Sequence, residues 1–481
     1  MTTGSISETT TFQKAAHNLL GDKGFTREPD RVEPWLTDWR GRYTGRALGL
    51  ASPASTKEVA ALVRLCAEHG VPLVPQGGNS GMAGGATPDA SGDSLVLSLR
   101  RMNAIRALDP NAGQAVCEAG VILQSLHEAA QDQGLRFPLT LGGKGSATLG
   151  GLISTNAGGT QVLRYGTMRA QVLGIEAVMA DGQILDQLTA LKKDNRGFDL
   201  KQLLIGSEGT LGIVTAATVR LLPAPRSRVT AWIGLSTLTD ARALLRRADR
   251  ALGQALEGFE VVPAHCLESV LALLPDARAP LSQAHAWNAL IECTSANADA
   301  HALQESLEEV LGQALVDKLI ADAAIAANET QAEQFWTLRD SISEAERALG
   351  PAMQHDISVP VERMPEFILA AIPAIETAFP GTKGAAFGHL GDGNVHFHVL
   401  APAGAVAGQW EEEEGKRISA MVHDLVTQWG GSISAEHGIG QMKVDELGRL
   451  GDPAALTILR RVKQALDPLG ILNPGKLIPP E

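Results

Sequence analysis

The sequence predicts an α/β domain followed by an α+β domain, on three observations. Glycine is unevenly spread, with 30 of the 51 glycines in residues 1–225. A β-rich run from Gly212 to Leu222 ends at "RLLPAPRSRVT", where Pro223 and Pro225 interrupt the chain and a new segment starts. The first part opens in the order strand, helix, strand, whereas the second mixes helices and strands without that alternation.

In the first part, "TKEVAALVRLCAEHG" spaces Val59, Leu62, Val63 and Cys66 as the apolar face of a helix that Gly70 closes. The strand-like "VPLVP" follows, then a glycine loop, then the strand-like "SLVLSL". After the break, "LTDARALLRRADRALGQAL", "HALQESLEEVLGQAL" and "MPEFILAAIPAIETAF" read as helices, and "TAWIGL", "AWNALIEC" and "VHFHVL" as strands. No internal repeat or low-complexity run is present.

At 481 residues the chain exceeds one core and predicts two or three domains. Its formal charge of −13, with no Lys/Arg block, argues against nucleic acid and anionic membrane surfaces as partners. The four cysteines, Cys66, Cys117, Cys266 and Cys293, lack C-x-x-C spacing, so neither a zinc ribbon nor a dithiol redox motif is expected. The N-terminus lacks a basic stretch followed by an apolar run, and no segment reaches about 18 continuous apolar residues. The expectation is a cytoplasmic protein without a transmembrane segment.

Three glycine-rich segments carry the chemistry of the first part. "PQGGNSGMAGGA", Pro75 to Ala86, follows a strand and contains no Lys or Arg. Consecutive small residues let backbone N–H groups turn inward around an anion such as a pyrophosphate. The loop fits neither the P-loop pattern nor G-x-G-x-x-G, which disfavours a Walker ATPase or a Rossmann site. "PLTLGGKGSATLGGLISTNAGGTQVLRYG" (Pro138 to Gly166) and "LLIGSEGTLGIVTAATVRLLP" (Leu203 to Pro223) are the other two. Three such loops in one domain are costly to order unless a large polar ligand holds them.

In the second part, "FGHLGDGNVHFHVL" places three histidines around a Gly-Asp-Gly turn. On its own the stretch is compatible with a metal site, a proton-transfer site or imidazoles lining a strand.

Taken together, these segments resemble the FAD-linked D-2-hydroxy acid dehydrogenase family of the vanillyl-alcohol oxidase/p-cresol methylhydroxylase superfamily. The resemblance runs from about Trp35 to Pro479. It implies a two-subdomain FAD-binding domain over residues 1–225, an α+β substrate domain over 226–430 and a C-terminal helical segment, 431–481, returning to the flavin site. It also implies that Pro75, Gln76, Gly77, Gly78, Asn79, Ser80, Gly81 and Met82 surround the FAD pyrophosphate. Pro138, Gly142, Gly150, Gly151, Ser154, Thr155, Asn156, Gly158 and Gly159 should line the flavin, with Glu208, Gly209, Gly212, Ile213 and Asn473 completing the pocket. Some relatives attach FAD through a His in the first loop; Asn79 stands there instead, so the flavin should be held without a covalent bond.

The histidine cluster gains a partner in "SAEHGIGQMK". The resemblance implies His389, His396 and Glu436 as ligands of a divalent metal, zinc or manganese, a set suited to leave positions open for substrate oxygens. It implies His437 as the general base. From "WTLRDSISEAERALGPAMQHDISVPVE", Arg339 would grip a carboxylate, and Ser343, four residues on along the same helical face, would add a hydroxyl. Two departures concern the substrate: Gln354 replaces the family's usual Lys, and His398 stands where glutarate-oxidising members carry Asn. The resemblance also implies Asn394 as a substrate contact.

The implied activity is oxidation of a D-2-hydroxy acid to the 2-oxo acid, with D-2-hydroxyglutarate favoured and D-lactate or another short acid the alternative. A non-redox transferase on the same FAD domain is a weaker rival. An electron-transfer flavoprotein or a quinone is the implied electron acceptor, and a homodimer is compatible with the family.

Overall fold

A computed structural model describes residues 3–297 and 299–480. The chain forms two compact units. The first comprises the chain up to Gly158, then Gly166–Pro223, then the chain from Glu436 onward; the second comprises Gly159–Tyr165 and Ala224–Ala435.

In the first unit Leu50–Ala51, Leu95–Ser98 and Leu73–Gln76 lie parallel, with Phe25–Thr26 antiparallel at the edge. The helix Thr56–His69 starts at Ser55, whose hydroxyl accepts from the Glu58 N–H, and ends at Gly70 in the left-handed conformation, φ 62°. Its Val59, Leu62, Val63 and Cys66 are buried, as their spacing requires. The β-α-β expectation describes only this sheet. A second sheet is wholly antiparallel, in the order Ile105–Asp109, Gln114–Glu118, Ile213–Arg220, Val172–Val178, Ile184–Gln187. Glu176 ties this sheet to the helix Thr56–His69: its carboxylate accepts from Thr56 Oγ1 at 2.7 Å and, within its own sheet, from Thr215 Oγ1 at 2.8 Å.

The C-terminal segment completes this unit. Leu73 N–H donates to Ile471 O at 2.7 Å, and Asn473 N–H donates to Leu73 O at 2.8 Å, beside the parallel sheet.

The second unit is built on seven antiparallel strands, in the order Asp322–Ile325, Ser227–Leu235, Trp287–Ser295, Leu256–Pro263, Lys383–His389, Asn394–Leu400, Ala352–Ser358. Alternate side chains of a strand point to opposite faces. One face is apolar, with Ile233, Ile291, Val261 and Phe397 in the core. The other carries Trp232, Glu292, Glu260, Phe387, His396 and Asp356, and the helices Ala264–Leu273, Glu329–Asp340 and Ile342–Leu349 pack on the Trp232 and Phe387 side. The stretch Gly159–Tyr165 belongs to this unit because Glu257, buried, accepts from Gln161 Nε2 at 2.7 Å and Arg164 Nη1 at 3.1 Å. No helix among the described residues is long and apolar enough to cross a membrane.

Candidate active site

A cleft of about 670 Å³ in the first unit is lined by Gln76, Gly77, Gly78, Asn79, Ser146 and Thr148, among others. Glycine is required here by space: a Cβ on Gly78 would lie 1.7 Å from Ser146 O, and one on Gly77 would lie 2.2 Å from Thr148 Oγ1. Thr148 Oγ1 and Gln76 Oε1 are buried without a hydrogen-bond partner. Buried polar atoms are rarely left so, and here they sit beside backbone that a ligand can approach closely. Asn79 adopts φ 50°, and its amide donates to Thr37 O at 2.8 Å.

The second and third glycine segments are knitted together. Glu208 N–H donates to Ser154 O at 2.8 Å and Gly206 N–H to Ile153 O at 3.0 Å. Gly150 rests on Ala119, where a Cβ would come within 2.7 Å of the Ala119 Cβ. Asn156, at φ 51°, ends the helix Leu149–Thr155 and accepts from Thr167 Oγ1 and Arg169 N–H.

Several residues expected at the flavin also make contacts within the protein. Glu208 accepts from the backbone N–H groups of Ile439 and Gly440, both at 2.7 Å, so its carboxylate anchors the C-terminal loop. Burial pushes that carboxyl up from its ordinary value, against these bonds and the nearby Lys443 and Lys476. Asn473 Nδ2 donates to Gly85 O at 2.9 Å and Glu208 O at 2.7 Å. Ile213 is buried in the apolar core, and Gly159 lies in the second unit.

In the second unit the polar sheet face is organised by Glu260. One oxygen stands 2.8 Å from both Arg339 Nε and Arg339 Nη2, and the other pairs with His389 Nδ1. Burial alone would push this carboxyl up; Arg339 and His389 override it and hold it at about 2. Glu260 is therefore a buried anion that fixes both side chains. The Nδ1 contact to Glu260 fixes the orientation of the His389 ring. The His389 and His396 ring centroids are 5.5 Å apart. Burial, then Arg339 and His389, hold His396 well below the usual imidazole range, in the neutral form that binds metals.

Asp356 faces His396 across the strand pair and accepts from Asn394 Nδ2 at 2.8 Å; Asn394 Oδ1 is buried without a partner. Gln354 faces His398, and the Gln354 Nε2 is buried without a partner. His398 Nδ1 pairs with Glu346.

The structure thus gathers Arg339, His389, His396 and Asn394 in one unit, while Glu436 and His437 belong to the C-terminal part of the other. Ser343 does not continue the Arg339 face: one helix ends at Asp340, Ser341 intervenes, and Ile342–Leu349 is a new helix. Sequence reading missed Glu260 and Glu346. The signal for Glu260 was available, because the two carboxylates of the otherwise apolar "LEGFEVVP" strand, Glu257 and Glu260, each need a buried partner.

The chain matches the family described as FAD linked oxidases, C-terminal domain, over residues 224–477, and the FAD binding domain family over residues 47–187. It belongs to the FAD-linked oxidase family. It is 37% identical over 466 residues to the mitochondrial D-2-hydroxyglutarate dehydrogenase of Arabidopsis thaliana, spanning 96% of this chain and 80% of that one. To the D-2-hydroxyglutarate dehydrogenase of Xanthomonas citri pv. viticola it is 37% identical over 456 residues, spanning 94% and 93%. The crystal structure of p-cresol methylhydroxylase with substrate bound superposes with a TM-score of 0.75 at 16% identity, covering 100% of this chain and 98% of that one. An alkyldihydroxyacetonephosphate synthase structure gives 0.72 at 16% identity, covering 97% and 84%. These two share the fold.

The FAD-linked oxidase is an FAD-dependent oxidoreductase, and its residues fit the cofactor. The Gly77–Gly78 cradle and the partnerless Thr148 hydroxyl suit a ligand that presents polar oxygens to backbone and side chain together.

Proposed function

We propose that this FAD-linked oxidase converts a D-2-hydroxy acid, D-2-hydroxyglutarate first, to the 2-oxo acid. FAD, which the Gly77–Gly78 cradle and Thr148 of the first unit would hold, would supply the two-electron acceptor for the hydrogen leaving substrate C2. A divalent ion held by His389, His396 and Glu436 would supply a Lewis acid at the substrate hydroxyl and carboxylate. Around these groups, Arg339 grips the first carboxylate, Asn394 Oδ1 offers an acceptor, and His437 takes the hydroxyl proton.

The observation that carries the reading is the Glu260 bridge. A fully buried carboxylate shared by an arginine and an imidazole orients both side chains at once, which supports a reading with a carboxylate-binding cation beside a metal-binding imidazole. The names of the relatives in Arabidopsis and Xanthomonas support the choice of substrate.

The test is anaerobic mixing of the purified yellow protein with a panel of D-2-hydroxy acids and their L-enantiomers. Rapid bleaching by D-2-hydroxyglutarate and none by the L-form is expected. Faster bleaching by D-lactate would move the substrate to the short acids, and no bleaching by any member would sink the dehydrogenase reading.

A further inference from the structure

The pair formed by Glu346 and His398 has no part in the reaction outlined above. It lies wholly in the second unit, on the sheet face that carries His396. His396 faces Asp356 across the strands, and His398 faces Gln354 one step further from the Gly-Asp-Gly turn. His398 Nδ1 pairs with Glu346 Oε2, while Glu346 Oε1 accepts from Cys266 Sγ at 3.5 Å. The three residues are 5%, 2% and 1% exposed, respectively. Phe387 packs perpendicular to His398 at 5.2 Å between centroids and touches His396 at the same separation.

The His398 ring is therefore held twice, by a carboxylate on its Nδ1 edge and by an aromatic neighbour. A buried carboxylate held by a thiol and an imidazole costs free energy to desolvate, and packing alone gives no reason for it. What it achieves is orientation. With Nδ1 turned to Glu346, Nε2 lies on the opposite edge of the ring, where it has no hydrogen-bond partner among the described residues. On the facing strand the Gln354 Nε2 is buried and also lacks a partner. Two polar groups on directly opposed residues thus await a ligand atom, beyond His396 along the same strand.

We propose that Glu346 is a positioning residue that fixes His398, so that His398 and the Gln354 amide together seat the polar group at the far end of the substrate. On the D-2-hydroxy acid reading, on which this rests, that group is the distal carboxylate of a five-carbon dicarboxylic acid. The imidazole stands between the Glu346 carboxylate and the seat and donates to both, Nδ1–H to Glu346 and Nε2–H to the substrate carboxylate, so that a positive ring separates the two anions. Glu346 acts on specificity through His398 and touches no reacting atom.

The experiment compares steady-state and anaerobic flavin-reduction kinetics of the holoenzyme, Glu346→Ala and Glu346→Gln on D-2-hydroxyglutarate and D-lactate. Glu346→Ala should raise the ratio of KM for D-2-hydroxyglutarate to KM for D-lactate about tenfold with little change in the kcat ratio. Glu346→Gln, whose amide oxygen still accepts from Nδ1–H, should recover most of that loss. Equal changes on both substrates, or an effect confined to kcat, would make the pair a packing element and overturn the proposal. Should Glu346→Ala fail to fold, Gln354→Leu leaves the pair intact and must still shift the KM ratio the same way; no shift overturns the seat. If wild-type flavin is bleached by other D-2-hydroxy acids but not by D-2-hydroxyglutarate, the glutarate reading falls alone. The same KM ratio is then read between the longest and shortest acids oxidised, and it must still shift. Flavin bleached by no D-2-hydroxy acid overturns both.

Discussion

Glu260 and Arg339 meet at 2.8 Å inside the second unit, and the Glu260 side chain is 0% exposed. Such a pair holds together only while both charges remain, since removing one partner strands the other in a low-dielectric interior.

The first prediction follows directly. Glu260→Gln keeps the volume but removes the buried counter-charge shared by Arg339 and His389, so unfolding in urea should show a loss of about 3–5 kcal/mol. A loss under about 1 kcal/mol would mean that the two groups are solvated in solution.

A second concerns the metal. His396→Ala removes one of three proposed ligands while leaving the first unit and its cleft untouched. The purified variant should keep its yellow colour and lose most turnover, and exhaustive chelation of the wild type should do the same. Full activity after either treatment would remove the metal from the mechanism.

The Thr148 hydroxyl supplies a third. Because it is buried without a partner, Thr148→Val should leave the apoprotein as stable as before or slightly more so. Binding of FAD, followed by flavin fluorescence, should weaken by roughly fivefold, the worth of about 1 kcal/mol of hydrogen bond. Unchanged FAD affinity would place the cofactor away from Thr148.

The fourth is a pH dependence. Burial acts to raise the Glu176 carboxyl, but hydrogen bonds from Arg106, Thr56 and Thr215 prevail and lower it below 4.5. A depressed acid adds stability above its unfolded pKa and loses it as pH falls through the folded value. Thermal unfolding should therefore show a shallower acid limb below about pH 4.5 in Glu176→Gln than in the wild type. Parallel acid limbs would assign the acid sensitivity elsewhere.

Much of this architecture was legible because its signals are local. The apolar spacing of Val59, Leu62, Val63 and Cys66 is set by a single helix, and the alternation in "VHFHVL" put His396 and His398 on one face, where both now meet Phe387. Non-local partners were not legible. Glu208 reads as a loop residue beside glycines, yet its carboxylate is taken by backbone 231 and 232 positions away. Glu260 finds His389 after 129 residues and Glu346 finds His398 after 52. No window of sequence contains those pairs. Ser343 failed for a different reason: the helical face assumed for it stops at Ser341, a break that side-chain spacing does not mark.

The route of the chain has a consequence for its synthesis. Leu73 is hydrogen-bonded to Ile471 and Asn473, so the parallel sheet waits for residues about 400 positions downstream before its edge is paired. Contacts of such separation form late and leave strand edges exposed meanwhile. The second unit, by contrast, has all its strands once Ala435 has emerged from the ribosome. The half that holds Glu260, His389 and His396 should thus fold first, and the nascent FAD-binding half should depend longest on chaperones and on the supply of FAD.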